Sequence, residues 1–334
     1  MGRRWRCFQL LTSVVFLSLC VAVYFSLEPP DTGMQVEEAT LPTRWVSREQ
    51  VTSRLAHRRH HLNQVCKKYG LENVSADNII HSRVFLINHQ YKLVWCPVFK
   101  AASSTWLWNF NLLAGYTQEE LLAHIHQPLP MARKRYPKPS HTKLKMALEA
   151  SPQPLTFMIA RHPLLRLVSA FRDKMLSGKK NYRQIIQLMK QRHPELGIRD
   201  QSSWLNLLPD FLGVPTFSQF VQHILDQHAN HQRLNEHWVP ASQFCTPCLV
   251  NYTVLAKVET LDEDANHIIF SSGVQEMLSP RTINRSQDGS TALLADHYLC
   301  QLSHIQMTQL LQLYKYDIEL FEYDVQKYID CTKQ

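Results

Sequence analysis

The sequence has 334 residues, of which 45% are hydrophobic and 19% are charged, and this balance excludes a disordered chain. The length is sufficient for one large domain or two medium-sized ones. Thirty-six Lys and Arg residues against 28 Asp and Glu residues give a formal net charge of +8, which favours anionic partners without choosing among nucleic acids, phosphate compounds, acidic lipids and acidic polysaccharides.

The N-terminus carries the pattern of a membrane anchor. Arg3, Arg4 and Arg6 precede an uncharged, mostly apolar run over residues 7–27 that is long enough to cross a bilayer as a helix. Basic residues on its N-terminal side predict a cytoplasmic tail (1–6), a transmembrane signal anchor (7–27) and a luminal remainder, which is single-pass type II topology. The alternative is a signal peptide cleaved near residues 20–22. Both interpretations place the body of the chain in the secretory pathway.

The luminal part divides into two segments. Residues 28–60 contain a Pro-Pro pair and no strong apolar period, which indicates a stem, and residues 61–334 have the patterning of a folded domain. Asn73, Asn251 and Asn284 each begin an Asn-x-Ser/Thr triplet and are predicted glycosylation sites.

Six cysteines follow the apolar run, and in an oxidising lumen they predict up to three disulfides of undetermined pairing. Cys245 and Cys248 have the Cys-x-x-Cys spacing of a zinc site. No second Cys or His pair completes a set of four ligands, so a disulfide role is favoured and no metal is expected.

Strands and helices alternate along the domain. Residues 91–98 and 155–160 are short apolar runs that predict buried strands, and residues 250–258 predict a third. Helices are expected over 103–113 with Ser103 or Ser104 as N-cap, from Pro163 onward, over 261–270 and over 306–313. Repeated strand–helix units predict an α/β fold in which helices flank a central parallel sheet on both faces.

The first chemically suggestive segment covers residues 96–106, where a strand runs through a short loop into a helix. The helix N-terminus points backbone N–H groups at one spot, and the dipole favours an anion there. Lys100 adds a positive charge, and the hydroxyls of Ser103, Ser104 and Thr105 add donors. The glycines of a Walker A loop are absent. Alone, such a segment is more often only structural.

The second segment covers residues 159–174 and again joins a strand to a helix. Arg161 stands at the strand end, where ligands of α/β proteins dock, and a guanidinium can bind a phosphate with two hydrogen bonds. Ser169, two turns into the helix, is a further donor. Arg166, Arg172 and Lys174 are expected on the solvated face of this helix.

Together the two segments resemble the Golgi carbohydrate sulfotransferases related to the chondroitin and dermatan 4-O-sulfotransferases and to the glucuronyl sulfotransferase of the natural-killer carbohydrate epitope. Members have a Pro-Lys-Val-x-Cys-Thr-Asn-Trp type loop for a 5′-phosphosulfate, matched by residues 99–106, and an Arg-Asp/Glu-Pro-Phe-x-Arg-Leu-Val-Ser segment for a 3′-phosphate, matched by residues 161–169. A third match runs from His237 through the Cys-x-x-Cys pair to Lys257 and Glu259. The resemblance covers roughly residues 80–330.

The resemblance implies a P-loop-like sulfotransferase fold and transfer of a sulfuryl group from 3′-phosphoadenosine-5′-phosphosulfate (PAPS) to a hydroxyl of an acidic glycan, with N-acetylgalactosamine or uronic acid of chondroitin/dermatan-type or related glycoprotein chains as acceptor. It implies a Golgi membrane location, no nucleic-acid partner, and a donor site built from the following residues: Phe99, Lys100, Ala101, Ala102, Ser103, Ser104, Thr105, Arg161 and Ser169. Lys100 would neutralise the leaving oxygen.

A general base is also needed, because an acceptor hydroxyl has a high pKa. His141 lies between the two donor segments, where related hexuronic 2-O-sulfotransferases carry a His-Val-Ser segment with the base, so it is the first candidate. His237 is the second candidate, either as base or as part of the acceptor site. Basic residues around His141 suit an acidic polysaccharide, or else form a solvated loop: Arg133, Lys134, Arg135, Lys138, Lys143 and Lys145.

Two other functions compete with this interpretation. The chain departs from the family pattern at Phe99, Ser104–Thr105, His162 and Leu164. The changes at Phe99 and His162 motivate the alternative of a non-catalytic glycan-binding membrane protein with a degraded site. A nucleotide-dependent kinase is disfavoured because the Gly-rich loop and an evident pair of magnesium-binding carboxylates are absent.

Overall fold

A computed structural model describes residues 46–75, 78–177, 180–197, 214–278 and 290–332. The predicted membrane anchor, most of the predicted stem and the Asn284 sequon lie outside these ranges. Within them, every helix is too short or too polar to pass through a lipid bilayer.

The centre of the fold is a sheet of four strands in the order β1 (Leu86–Asn88), β2 (Leu93–Cys96), β3 (Leu155–Ala160) and β4 (Val254–Lys257). Strands β2, β3 and β4 run parallel, whereas β1 returns antiparallel to β2. The sheet is therefore mixed, which corrects the expectation of a purely parallel one. Strand β2 is buried throughout and β3 nearly so, as expected for parallel strands covered on both faces.

The helices of the described residues are, in chain order, α1 (Arg48–Tyr69), α2 (Ser103–Leu113), α3 (Gln118–Ala123), α4 (Pro128–Arg135), α5 (His141–Leu148), α6 (Pro163–Lys174), α7 (Arg183–Arg192), α8 (Phe217–Ala229), α9 (Ala241–Cys245), α10 (Leu261–Ser271), α11 (Ser290–Leu299), α12 (His304–Leu313), α13 (Lys315–Leu320) and α14 (Gln326–Asp330). The helices expected at 103–113, from Pro163, at 261–270 and at 306–313 are confirmed to within two residues.

Helix α1 corrects the predicted end of the stem. Ser47 and Gln50 form a capping box at its start, and Gly70 ends it in the left-handed conformation with φ 63°. Its apolar stripe, which includes Val51 and Leu62, is buried in the core, and the compact unit begins at Val46. A stem boundary at residue 60 would cut this helix in half.

The described residues form two large hydrophobic cores. The first surrounds the sheet and contains an aromatic group in which the rings of Trp106 and Phe157 lie 4.6 Å apart. The second forms among α6, α8, α11 and α12, where Phe171 packs edge-on against Phe217. Because α6 begins at the end of β3 and packs into the second core, it joins the two.

Three disulfides cross-link distant elements, which confirms the expectation from the cysteine count. Cys66 of α1 is bonded to Cys248, Cys96 of β2 to Cys245 of α9, and Cys300 to Cys331. Both members of the Cys-x-x-Cys pair are therefore tied to other parts of the fold and have the disulfide role rather than the metal-binding one.

Candidate functional site

The two strand-to-helix corners lie side by side. Strands β2 and β3 pair in parallel with Cys96 opposite Met158, so the loop after β2 and the Arg161 corner after β3 leave the same edge of the sheet. The Arg161 guanidinium donates from Nη1 to the backbone oxygen of Lys100 at 3.0 Å. One nucleotide can therefore contact both corners.

The loop after β2 adopts a conformation that usually requires glycine. Lys100 has φ 67° and Ala102 has φ 58°, and each non-glycine residue in this region costs roughly 1–2 kcal/mol. Such strain is common where backbone N–H groups are turned toward a ligand. The loop thus reaches, with Lys and Ala, backbone geometry that glycines supply in other phosphate-binding loops.

Helix α2 begins without a side-chain cap. Its N-cap is Ala102, whose methyl side chain cannot accept a hydrogen bond, so the expectation that Ser103 or Ser104 is the N-cap is wrong. An eleven-residue helix with an uncapped N-terminus leaves N–H groups and the positive end of its dipole directed at the loop. Ser103 and Thr105 are buried and Ser104 is half-buried.

Lys100 is the cation closest to this helix end along the chain. Its Nζ lies 3.2 Å from Oδ2 of Asp173, which also accepts from Nζ of Lys174 at 3.0 Å. Burial lowers the pKa of Lys100, while the nearby Asp173 carboxylate opposes that shift. The ammonium is thus largely desolvated and ready to exchange a carboxylate for another anion.

Arg161 combines a phosphate-binding group with an acidic neighbour. Burial lowers its pKa, and the charge of Glu259 acts in the opposite direction. The Glu259 carboxylate accepts from the backbone N–H of His162 at 3.0 Å and from the Tyr323 hydroxyl at 3.2 Å, which fixes it at the start of α6. Ser169 is half-buried in the second turn of the same helix.

Arg166 contradicts the expectation that it is a solvated residue. Its side chain is 1% exposed, and it donates to the backbone oxygens of Phe99 at 2.9 Å, Val239 at 2.7 Å and Glu236 at 3.4 Å. It therefore joins the loop after β2 to the segment that carries His237. The only signal of this burial in the sequence is weak: Leu165 and Leu167 place one apolar residue on each side of Arg166.

His237 lies beside the loop, whereas His141 does not share its surroundings. The His237 ring packs edge-on against Phe99 with ring centroids 5.0 Å apart, and Phe99 also contacts Phe244. Burial, together with the charges of Lys174 and Lys100, lowers the pKa of His237 to about 3. His141 is exposed at the first position of α5, a helix that packs against the turn at residues 82–84.

The predicted acceptor-binding cations fall into two groups. Arg133 is half-buried, and its guanidinium donates to the backbone oxygens of Phe85 at 2.7 Å and Val84 at 2.6 Å, so it is committed to the fold. Arg135 is exposed and stacks over Tyr116, and Lys143 is exposed near the start of α5. The last two remain accessible to a polyanion.

Taken as chemistry, these elements make one anion site with two cationic poles. Lys100 and the α2 N-terminus form one pole, Arg161 forms the other, and neutral His237 borders the first. This arrangement suits the binding of a compound with two separated phosphate groups, and it places a possible proton acceptor of the protein, His237, next to one of them.

Comparison with known proteins gives a family match that includes the site residues. Residues 83–324 match the model of the sulfotransferase family. Carbohydrate sulfotransferase 9 of Homo sapiens is 29% identical over 278 residues, which cover 80% of this chain and 59% of that protein. Carbohydrate sulfotransferase 11 of Rattus norvegicus is 27% identical, covering 73% of this chain and 68% of that protein.

Carbohydrate sulfotransferase 10 of Gallus gallus is 24% identical over 325 residues, covering 88% of this chain and 86% of that protein. No solved structure gives a match. The chain spans less than two thirds of the length of the human relative and most of the length of the chicken one.

Proposed function

Because this chain belongs to the sulfotransferase family, as its motifs led us to expect, we propose that it transfers a sulfuryl group from PAPS to a hydroxyl of a glycan. The observation that carries the proposal is the bond from Arg161 to the backbone of Lys100, which brings the two phosphate-binding corners within reach of one nucleotide. The three relatives described above are all carbohydrate sulfotransferases, which supports a glycan acceptor.

PAPS supplies an activated sulfate whose bond to the 5′-phosphate breaks as the acceptor oxygen attacks in line. On this chain, the α2 N-terminus and Lys100 bind the phosphosulfate end, and the Lys100 ammonium neutralises charge on the departing phosphate oxygen. Arg161 and Ser169 bind the 3′-phosphate and so fix the direction of the donor. No metal is assigned to any step.

The proton of the acceptor hydroxyl goes to a histidine, and the geometry favours His237 over His141. His237 packs against Phe99, next to Lys100, and it is neutral at physiological pH because its pKa is so low. The arriving donor brings negative charge close to Lys100 and Lys174, which offsets their effect and makes His237 more basic when a proton has to be accepted. His141 then serves the acceptor surface rather than the chemistry.

The acceptor we propose is an acidic glycan of the chondroitin/dermatan type or a related glycoprotein chain. Arg135, Lys143 and their exposed neighbours Lys134, Lys138 and Lys145 form a basic surface on α4 and α5. Such a surface attracts polyanions without selecting one sugar. Arg133 contributes by holding the turn at residues 84–85 beneath this surface rather than by direct binding.

We further propose that the protein is a type II membrane protein of the Golgi apparatus, glycosylated at Asn73, Asn251 and Asn284. Three disulfides support an oxidising compartment, and Asn73 and Asn251 are exposed. Protease protection of tagged full-length protein in intact microsomes, combined with endoglycosidase digestion, tests this topology. Digestion of the domain by externally added protease would contradict it.

The enzymatic proposal is tested with the purified protein and radiolabelled PAPS against a panel of desulfated chondroitin, dermatan, heparan and glucuronyl-lactosamine acceptors. We expect labelled product with at least one acceptor, and loss of transfer in Lys100→Ala and Arg161→Ala. Lys67→Ala, which changes an exposed lysine of α1, is the matched control. Glycan binding without affinity for the nucleotide product would instead favour a non-catalytic binding protein.

A further inference from the structure

Helix α6 and the residue before its N-cap contact the loop after β2 (residues 97–102, the donor loop) at three points. Near its start, Arg161 bonds to the Lys100 backbone; Arg166 in the middle bonds to the Phe99 backbone; and Asp173, near its end, contacts the Lys100 ammonium at 3.2 Å. The Lys100 side chain therefore reaches toward the C-terminal part of α6. Ser169 lies one turn before Asp173 on the same face of the helix.

A carboxylate next to a site for a polyanion needs an explanation. Asp173 is half-buried and repels the donor, which on binding grounds alone disfavours an acid there. The position is useful if the ammonium needs a counter-ion when no donor is bound. Two further cationic side chains, Lys174 and Arg161, are close enough for their charges to lower the pKa of Lys100. The ring of His237 is neutral and adds no positive charge.

We propose that Asp173 is a positioning residue for sulfuryl transfer, holding the Lys100 ammonium charged and directed along α6 so that it meets the leaving phosphate oxygen. The inference rests on the proposed function, because it takes Lys100 as the group that neutralises the leaving oxygen. Lys174 competes for the same Oδ2 atom at 3.0 Å and limits how tightly Asp173 holds Lys100.

The charges around Lys100 determine the direction of the pH effect. Burial, Lys174 and Arg161 lower the pKa of Lys100, and Asp173 is the group that raises it. Replacing Asp173 with a neutral residue lowers the pKa further, so the ammonium is lost at a lower pH. Replacing Lys174 with a neutral residue removes a like charge and frees Asp173, so the ammonium persists to a higher pH.

The experiment measures kcat and KM for PAPS from pH 6 to pH 10 in the wild-type protein and in Asp173→Asn, Asp173→Glu and Lys174→Met. For Asp173→Asn we expect the alkaline limb of kcat to move down by about one pH unit, so that kcat on that limb falls about tenfold, while KM for PAPS stays equal or decreases. Asp173→Glu restores most of kcat, and Lys174→Met moves the limb upward. Asp330→Asn, an exposed residue of α14, is the matched control.

Calorimetry with 3′,5′-diphosphoadenosine separates the two proposals. If the wild-type protein neither binds this nucleotide nor transfers sulfate, the proposed function fails. If the wild-type protein is active but the profiles of Asp173→Asn and wild type coincide, or if kcat and nucleotide binding fall together at every pH, the role of Asp173 is overturned. Should Asp173→Asn not fold, Lys174→Met decides: an unshifted alkaline limb overturns the inference.

Discussion

Arg166 donates from Nε to the backbone oxygen of Phe99 at 2.9 Å, and through this bond a fully buried guanidinium holds the donor loop against α6. Its Nη1 donates to Val239 at 2.7 Å, two residues after His237. One side chain thus sets the spacing between the loop that carries Lys100 and the segment that carries the candidate base. A change at Arg166 is therefore expected to affect both the stability of the fold and the proposed catalysis.

Replacing Arg166 with Met should destabilise the fold by about 3 kcal/mol or more, because up to three part-buried carbonyl groups lose a charged donor at about 1–3 kcal/mol each. Urea unfolding measures this loss. Arg166→Lys should recover only part of it, since an ammonium lacks the planar fork that serves separate acceptors. Arg192→Met, at an exposed position of α7, should change stability by less than about 0.5 kcal/mol. A tolerated Arg166→Met would show that the carbonyls find other donors.

Ala102→Gly and Ala101→Gly form a matched pair around the strained loop. Ala102 has φ 58°, so a glycine there relieves backbone strain, and this gain roughly offsets or exceeds the entropic cost of glycine. We therefore expect the free energy of unfolding to be between unchanged and about 1 kcal/mol higher. Ala101 is buried outside the left-handed region, so glycine there should cost about 1 kcal/mol. Thermal unfolding of the two variants compares them directly. Equal destabilisation by both changes would show that Ala102 is not strained.

Strongly patterned segments could be predicted from the sequence. The predicted elements at residues 103–113 and 155–160 have the observed bounds because an apolar run bounded by turn-forming residues specifies a local structure, even where the predicted cap is wrong. Strand β1 has only three residues, too few for an alternating pattern to be recognised. The first part of α1, residues 48–60, falls within the predicted stem because basic and histidine residues interrupt its apolar stripe.

The site shows a different limit. That Lys100 and Arg161 should meet followed from two strand ends placed at one edge of a parallel sheet, and the structure brings them together. The burial of Arg166 did not follow, because its acceptors are carbonyls 67 to 73 residues away in the sequence. His237 approaches Phe99 only through tertiary packing, so nothing near it in the sequence distinguished it from His141.

Removing the Cys96–Cys245 disulfide should impair donor binding more than removing Cys300–Cys331. Cys96 ends β2 immediately before the donor loop, and both cysteines of this bridge are fully buried. Cys300 and Cys331, in contrast, join α11 to the end of α14. The first bridge also closes a sequence separation of 149 residues against 31, which predicts the larger loss of stability. Calorimetry with 3′,5′-diphosphoadenosine on the Cys96→Ala/Cys245→Ala and Cys300→Ala/Cys331→Ala proteins measures the difference. Equal affinities would mean that the loop keeps its shape without the bridge.

His237 gives a prediction for stability as well as for turnover. Its pKa of about 3 in the folded protein lies below the value near 6.5 of an unfolded histidine, so between these values the unfolded chain binds more protons and stability rises with pH. Between pH 5 and pH 7 this residue should raise the free energy of unfolding by about 2 kcal/mol. His237→Gln should remove this rise because glutamine does not titrate. Urea unfolding of both proteins at the two pH values measures the effect.

The same variant tests the choice of base. If His237 accepts the acceptor proton, His237→Gln should lower kcat by about 100-fold or more while binding of 3′,5′-diphosphoadenosine is retained, since general-base catalysis typically contributes 10²–10⁴-fold. His141→Gln, the matched change at an exposed histidine, should stay within a few-fold of wild type. The reverse pattern would return the base role to His141 and would leave His237 as a buried neutral ring that supports Phe99. His141 is the candidate favoured by position in the sequence, and His237 is the one favoured by burial and proximity to Lys100 in the fold. The comparison shows which of these two criteria identifies the base.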